Sequence, residues 1–225
     1  VTRPLLIDFC CKAGGASRGY ADAGFDVLGV DHKPQPNYPF PFVQMDLLDI
    51  TPEWVAMMGA RALAGSPPCQ GLTRMNNDKS RHLNLIPQTR ALFEATGLPW
   101  VIENVEGAAA FMPGAVTLCG SHFNLGCQGC RLERHRLFLC SGFELPQMPC
   151  AHDRRPVIGV YGDHARRRAA SAGGRGTRDV WAKSHRDTMR EALGMDWGTA
   201  AELSEALPPA YTRYVGAHLL AALRS

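Results

Sequence analysis

Apolar residues in the first half of the chain cluster in short runs. They occupy residues 5–9 (LLIDF), 25–30 before Asp31, and 40–45 before Asp46. Two more occupy residues 61–64, before Gly65-Ser66-Pro67-Pro68, and 100–102, before Glu103-Asn104. Runs this short, with no polar face, read as strands buried on both sides, as in a parallel sheet. Helical patterning lies between them, from the Gly14-Gly15 turn to about residue 23 and over residues 87–96. Strand and helix in alternation predict an α/β fold with a Rossmann-like, doubly wound, mostly parallel sheet. Ligands in such sheets sit beyond the carboxyl ends of the strands. Gly14-Gly15, Asp31, Asp46, Cys69 and Glu103 all fall at such ends, which predicts one active cleft.

The pattern changes after Phe111. Residues 114–182 are rich in Gly, Cys, Pro and Arg, with strand candidates only at 136–139 and 157–161. Residues 166–178, with Gly173-Gly174 and no periodicity, read as a mobile loop. Helical patterning returns from Asp187, and Pro209-Ala210-Tyr211 opens an amphipathic helix to Leu223. The expected organisation is one domain from residues 1–123 and 185–225, with a small insert at 124–184.

Composition narrows this picture. The 225 residues are 45% hydrophobic and 20% charged, enough for a buried core. No run of about 18 apolar residues is present, so no membrane span is expected. The first ten residues lack the features of a secretory leader, so the chain reads as intracellular, in the cytoplasm. Its eight cysteines then argue against a disulfide framework. The net charge is only +3, but Arg154, Arg155, Arg166, Arg167, Arg168, Arg175, Arg178, Lys183, Arg186 and Arg190 crowd one segment. Such a segment suits a polyanion, although on charge alone a solvated, arginine-rich surface loop is the favoured reading.

Three segments point to chemistry. The strand, glycine turn, helix, strand and acid running from Asp8 to Asp31 suit a nucleotide-like ligand, with NAD, FAD and S-adenosylmethionine all open. Ser66-Pro67-Pro68-Cys69-Gln70 is more specific. Two prolines fix the backbone before a thiol at a strand end, as a nucleophile requires. Glu103-Asn104-Val105, at the next strand end, adds a carboxyl suited to acid–base assistance.

With these motifs the chain resembles the cytosine-C5 DNA methyltransferase family over nearly its whole length. Asp8-Phe9-Cys10-Cys11-Lys12-Ala13-Gly14-Gly15 is similar to the first family motif, and Pro67-Pro68-Cys69-Gln70 to the catalytic loop. Glu103-Asn104-Val105 is similar to the glutamate motif, Arg134-His135-Arg136 to the Arg-x-Arg motif, and Pro208-Pro209-Ala210-Tyr211 through Gly216 to the closing motif. The compact form looks like short bacterial and phage members. Four positions depart from the pattern: Lys12 in place of glycine, Cys10 in place of phenylalanine, Leu132 in place of glutamine, and no asparagine after Gly216.

The resemblance implies the class I methyltransferase fold, transfer from S-adenosylmethionine to a flipped cytosine in double-stranded DNA, and a monomer. It implies catalytic roles for Cys69, Glu103, Arg134 and Arg136. It implies cofactor contacts at Phe9, Cys10, Lys12, Ala13, Gly14, Gly15, Asp31, His32, Asp46, Leu47 and Pro68, although Asp31 and Asp46 could serve as simple caps. Residues 71–85 are expected to close over the base, and the 124–184 insert to read a short site. Lys12 also raises a cofactor carrying an extra carboxylate, carboxy-S-adenosylmethionine, with carboxymethyl transfer. An RNA-directed enzyme and an inactive DNA-binding remnant are the rival readings. Cys127-x-x-Cys130 with Cys150-x-His152 supplies four candidate zinc ligands, unless the first pair merely lines a hairpin turn.

Overall fold

The computed structural model describes residues 2–68, 83–162, 164–171, 176–179 and 181–224. In chain order its elements begin with β1 (Leu5–Phe9), α1 (Gly15–Ala23), β2 (Asp26–Asp31), β3 (Phe42–Gln44), α2 (Pro52–Met57), β4 (Ala62–Gly65), α3 (Ile86–Thr96) and β5 (Trp100–Asn104). They continue with β6 (Val116–Leu118), β7 (Gly126–Cys127), β8 (Cys130–Leu132), β9 (Arg136–Ser141), β10 (Val157–Tyr161) and β11 (His164–Arg168). Helices α4 (His185–Leu193), α5 (Ala200–Glu205) and α6 (Pro209–Ala222) complete the chain.

Seven strands form one sheet in the order β3-β2-β1-β4-β5-β9-β6. The first five are parallel, and β9 and β6 extend the sheet in antiparallel fashion. Successive residues of the central strands enter opposite layers, the ordinary consequence of strand geometry. Leu6, Ala62, Ala64 and Val101 pack with Tyr211, Val215 and Leu219 of α6 on one face. Ile7, Leu63 and Ile102 pack with Val55 of α2 and Phe93 of α3 on the other. Both faces are covered, which explains the absence of a polar stripe from these runs. The connection order reverses between β1 and β4, and this switch point is where such sheets open a crevice.

Helices α1 and α6 approach closely because glycines line their seam. A Cβ at Gly19 would stand 2.0 Å from Thr212 Oγ1 and 2.1 Å from the Pro209 carbonyl oxygen, and one at Gly216 would stand 2.8 Å from Ala23 Cβ. Thr212 Oγ1 donates across the seam to the Ala16 carbonyl at 2.8 Å.

A second sheet, ordered β11-β10-β8-β7, carries its own core. Leu132, Ile158 and Val160 pack there with Met189 and Leu193 of α4 and Leu203 of α5. Ser184 caps α4 by accepting from the Asp187 N–H, and Thr199 with Glu202 forms a capping box on α5.

The sequence pattern predicted a loop over residues 166–178, and the structure corrects this in part. Arg166–Arg168 pair with Val157–Gly159 as the end of β11, and Arg167 bridges to Thr177. Ala165 is the one buried residue of this strand and arginines fill its last three positions, so no alternation marked it. Arg168 pairs with Glu133 at 2.7 Å and Arg167 lies 3.9 Å from Asp179, so part of the positive run is neutralised locally. Arg175 lies outside the described residues. Among the described residues no helix is long and apolar enough to cross a membrane.

The glycine seam yields a direct expectation. Gly19→Ala should lower unfolding free energy by at least about 2–3 kcal/mol, because backbone as well as side-chain atoms must move. Urea denaturation of the variant checks this, and an unchanged midpoint would mean that the two helices separate at little cost.

Candidate active site

The carboxyl ends of β1, β4 and β5 converge on a cleft of about 680 Å³. Cys10, Lys12, Pro68, Glu103, Arg134 and Arg136 all line it. A smaller cavity of about 150 Å³ lies against it, lined by Phe9, Cys10, Asp31, His32, Asp46, Leu47 and Pro68. Cys10 and Pro68 line both.

Glu103 sits at the end of β5, almost fully buried, with Arg136 Nε 3.1 Å from its Oε1. Burial pushes its carboxyl above the ordinary carboxylate range, while Arg136, a hydrogen bond from Ser66 and Arg134 oppose that shift. Asn104, the next residue, turns its side chain to donate from Nδ2 to the Pro67 carbonyl at 2.9 Å. The turn bearing Ser66, Pro67 and Pro68 is thereby fixed to the strand carrying Glu103. Cys69 and residues 70–82, including most of the segment expected to close over a base, lie outside the described residues.

Arg134 is buried to 1% exposure. It donates from Nη1 to the Val160 carbonyl at 3.0 Å and from Nη2 to the Ser204 carbonyl at 2.8 Å, with its guanidinium 5.4 Å from the Tyr161 ring centroid. Its buried Nε has no partner among the described residues. Burial, reinforced by neighbouring Arg136, lowers its pKa to about 10, so it remains a cation at neutral pH.

Cys10 and Lys12 both have positive φ, 57° and 50°. The backbone at Lys12 therefore adopts a conformation that favours glycine. Its Nζ lies 3.1 Å from Glu205 Oε2 at the end of α5. Burial lowers the Lys12 pKa, but the charge and hydrogen bond of Glu205 outweigh it and the net shift is upward. Burial pushes the Cys10 thiol up to about 12, so it faces both cavities as an inert wall.

In the smaller cavity Asp31 accepts from the backbone N–H of Lys12 at 3.2 Å and of Lys33 at 3.1 Å. Asp46 caps a 3-10 turn through the Leu48 N–H at 3.0 Å while still lining the cavity. Capping and cavity-lining thus coexist at Asp46. Ala13, Gly14 and Gly15 line neither cavity. Trp197 Nε1 donates to the Ala13 carbonyl at 2.6 Å, and a Cβ at Gly15 would stand 2.3 Å from the Leu207 carbonyl oxygen.

The zinc quartet drawn from the sequence does not assemble. Cys127 and Cys130 face each other across the β7–β8 hairpin and belong to the second sheet's core, with Cys127 Sγ 3.5 Å from the Thr188 carbonyl. Cys150 and His152 stand instead with Cys119 and His135. Sequence reasoning also missed Tyr161, Ser204 and Glu205, which reach the cleft only through the second sheet and α5.

No family model matches the chain. The type II methyltransferase M.XorII of Xanthomonas oryzae pv. oryzae is 29% identical over 198 residues, 72% of this chain and 47% of that protein. The chain thus spans just under half the length of that relative. A protein of an E. coli prophage, described as a DNA modification methyltransferase, has the same fold at a TM-score of 0.65 and 14% identity, over 99% of this chain and 100% of that one. The methyltransferase EhMeth of Entamoeba histolytica matches at a TM-score of 0.61 and 11% identity, covering both chains completely. The fold is the Rossmann-like class I methyltransferase fold. The chain is a sequence relative of a type II methyltransferase, and the likeness of its motifs to the cytosine-C5 DNA methyltransferase family agrees with these comparisons.

Beside the cleft, Asp8 is buried on β1 and accepts from Ser17 Oγ at 2.5 Å. Burial pushes its pKa up to about 7, against the Ser17 hydrogen bond and with help from Glu103 and Asp31. The folded state therefore holds this proton more tightly than the unfolded chain. Stability from Asp8 is greatest below the ordinary carboxylate range and is lost as pH rises towards 7. Asp8→Asn should be more stable than wild type at pH 8, by up to about 4 kcal/mol, with the gap shrinking as pH falls. Denaturant melts across that pH range check the slope, and a gap independent of pH would refute it.

Proposed function

We propose that this chain is an S-adenosylmethionine-dependent DNA cytosine-C5 methyltransferase with Cys69 as nucleophile. The observation that carries this reading is the wall shared by the two cavities at Cys10 and Pro68, immediately before Cys69 in the chain. The smaller cavity suits an adenosine moiety: Phe9, Val30, Leu47 and Leu85 supply apolar walls, and Asp31 and Asp46 supply carboxylates for ribose and base. When bound, S-adenosylmethionine supplies an electrophilic methyl group.

In this reading the Cys69 thiolate adds to C6 of cytosine, which makes C5 nucleophilic. Loss of the C5 proton later expels Cys69 and restores the ring. Glu103 holds the N3 and amino edge, and its upward-shifted carboxyl favours the hydrogen-bonded, protonated form as charge builds on the ring. Arg136 holds Glu103 in place, and Arg134 lines the cleft where the base and its phosphate would lie. A base within a duplex cannot reach a buried carboxyl, so it is flipped out.

Lys12 bears on the group transferred. Its charge is met by Glu205, so no extra cofactor carboxylate is needed beside it. This supports methyl transfer over carboxymethyl transfer. Glu205→Gln should leave Lys12 unbalanced near the sulfonium and raise the cofactor KM several-fold with little change in kcat. An unchanged KM would remove Lys12 from the cofactor's surroundings.

The decisive experiment incubates the protein with S-adenosylmethionine and either duplex DNA or RNA, followed by mass spectrometry of the nucleosides. The expected product is 5-methylcytosine in DNA. A covalent adduct should form with DNA containing 5-fluorocytosine and be absent in Cys69→Ser. Product in RNA alone, or an undiminished adduct in that variant, would overturn the proposal.

A further inference from the structure

Cys119, His135, Cys150 and His152 come from three separate parts of the chain, yet their ligand atoms all lie within 4.8 Å of one another. Cys119 follows β6, His135 stands between β8 and β9, and Cys150 and His152 lie on the connection from β9 to β10. Cys119 Sγ is 3.3 Å from His152 Nε2, and Cys150 Sγ is 3.4 Å from His135 Nε2. Zinc–sulfur bonds of about 2.3 Å and zinc–nitrogen bonds of about 2.0–2.1 Å, at tetrahedral angles, place neighbouring ligand atoms roughly 3.3–3.8 Å apart. The two sulfur–nitrogen separations are therefore close to the edges of such a tetrahedron.

The outer faces of the imidazoles give a second, independent indication. Both rings turn Nε2 towards a thiol and Nδ1 towards a carboxylate. His135 Nδ1 is 3.9 Å from Glu106 Oε1, and His152 Nδ1 is 3.6 Å from Glu133 Oε1. A carboxylate on the side of the distal ring nitrogen favours the tautomer that leaves Nε2 free to bind metal. Two thiols, two imidazoles and a closed set of four is the donor chemistry of structural zinc, not of a catalytic site with an open position.

We propose that these four residues bind one zinc ion that clips the β9–β10 connection to the rim of the cleft. That connection, residues 142–156, has no helix or strand of its own. Connections of this length without regular structure need another source of order. His135 lies between Arg134 and Arg136, so the ion also fixes the backbone from which both arginines reach the cleft. The ligand set is independent of the methyl-transfer reading, and so is its test.

The full chain, purified without chelator, should carry one zinc per chain by elemental mass spectrometry. After metal exchange, cobalt(II) should give the visible bands and thiolate charge transfer of a tetrahedral two-sulfur, two-nitrogen site. Cys150→Ser and His152→Ala should each weaken zinc retention against a chromogenic chelator by more than about tenfold, while Cys127→Ala should not. A metal-free protein with no cobalt spectrum would overturn the proposal. So would a Cys119–Cys150 disulfide in the unreduced protein, or loss of metal in Cys127→Ala instead of Cys150→Ser. The cobalt spectrum of the wild-type protein decides the matter even if a ligand variant fails to fold.

Discussion

A guanidinium removed from water must find acceptors, and Arg134 finds them in two different parts of the fold. Its donors end on carbonyls of β10 and α5, and its own carbonyl accepts from the Tyr211 hydroxyl of α6 at 2.7 Å. Leaving a buried charge unpaired costs several kcal/mol, so these elements are held in one arrangement. That arrangement places the second sheet over the carboxyl edge of the first. It brings Tyr161 and Ser204 to the cleft and sets Glu205 opposite Lys12. The neighbouring Arg136 then has one geometry from which to meet Glu103.

The turn before Cys69 is held with similar economy. Proline at positions 67 and 68 restricts the backbone, and the Asn104 side chain anchors its carbonyl to β5. The same strand end therefore positions the buried acid and the turn that leads to Cys69. Adjacent residues do separate work because successive side chains on a strand point to opposite sides.

The central strands and the acids at their ends were legible in the sequence because a parallel sheet buried on both faces leaves short, mostly apolar runs without a polar face. Those runs stop where the chain reaches the cleft. The short helix α2 went unread although Thr51 and Pro52 are an ordinary helix start: Thr51 accepts from Trp54 N–H at 3.3 Å. Strands β6, β7 and β8 have only two or three residues each, too few for any period to appear. Glu205 and Tyr161 carried no local signal, since tertiary packing alone brings them to the cleft. Spacing paired Cys127 and Cys130 with Cys150 and His152 because a Cys-x-x-Cys is visible in one dimension. The association of Cys119 with His135 is visible only in three.

The glycine seam between α1 and α6 also bears on how the fold is reached. Ala16 and Thr212, hydrogen-bonded across it, are 196 residues apart in the chain. During synthesis the apolar face of β1 and α1 must wait for α6 before it can be covered. Closing so long a loop delays its stabilising contacts until most of the other elements exist. The β1–α1 unit should therefore need shielding from aggregation while the elements between it and α6 are being made.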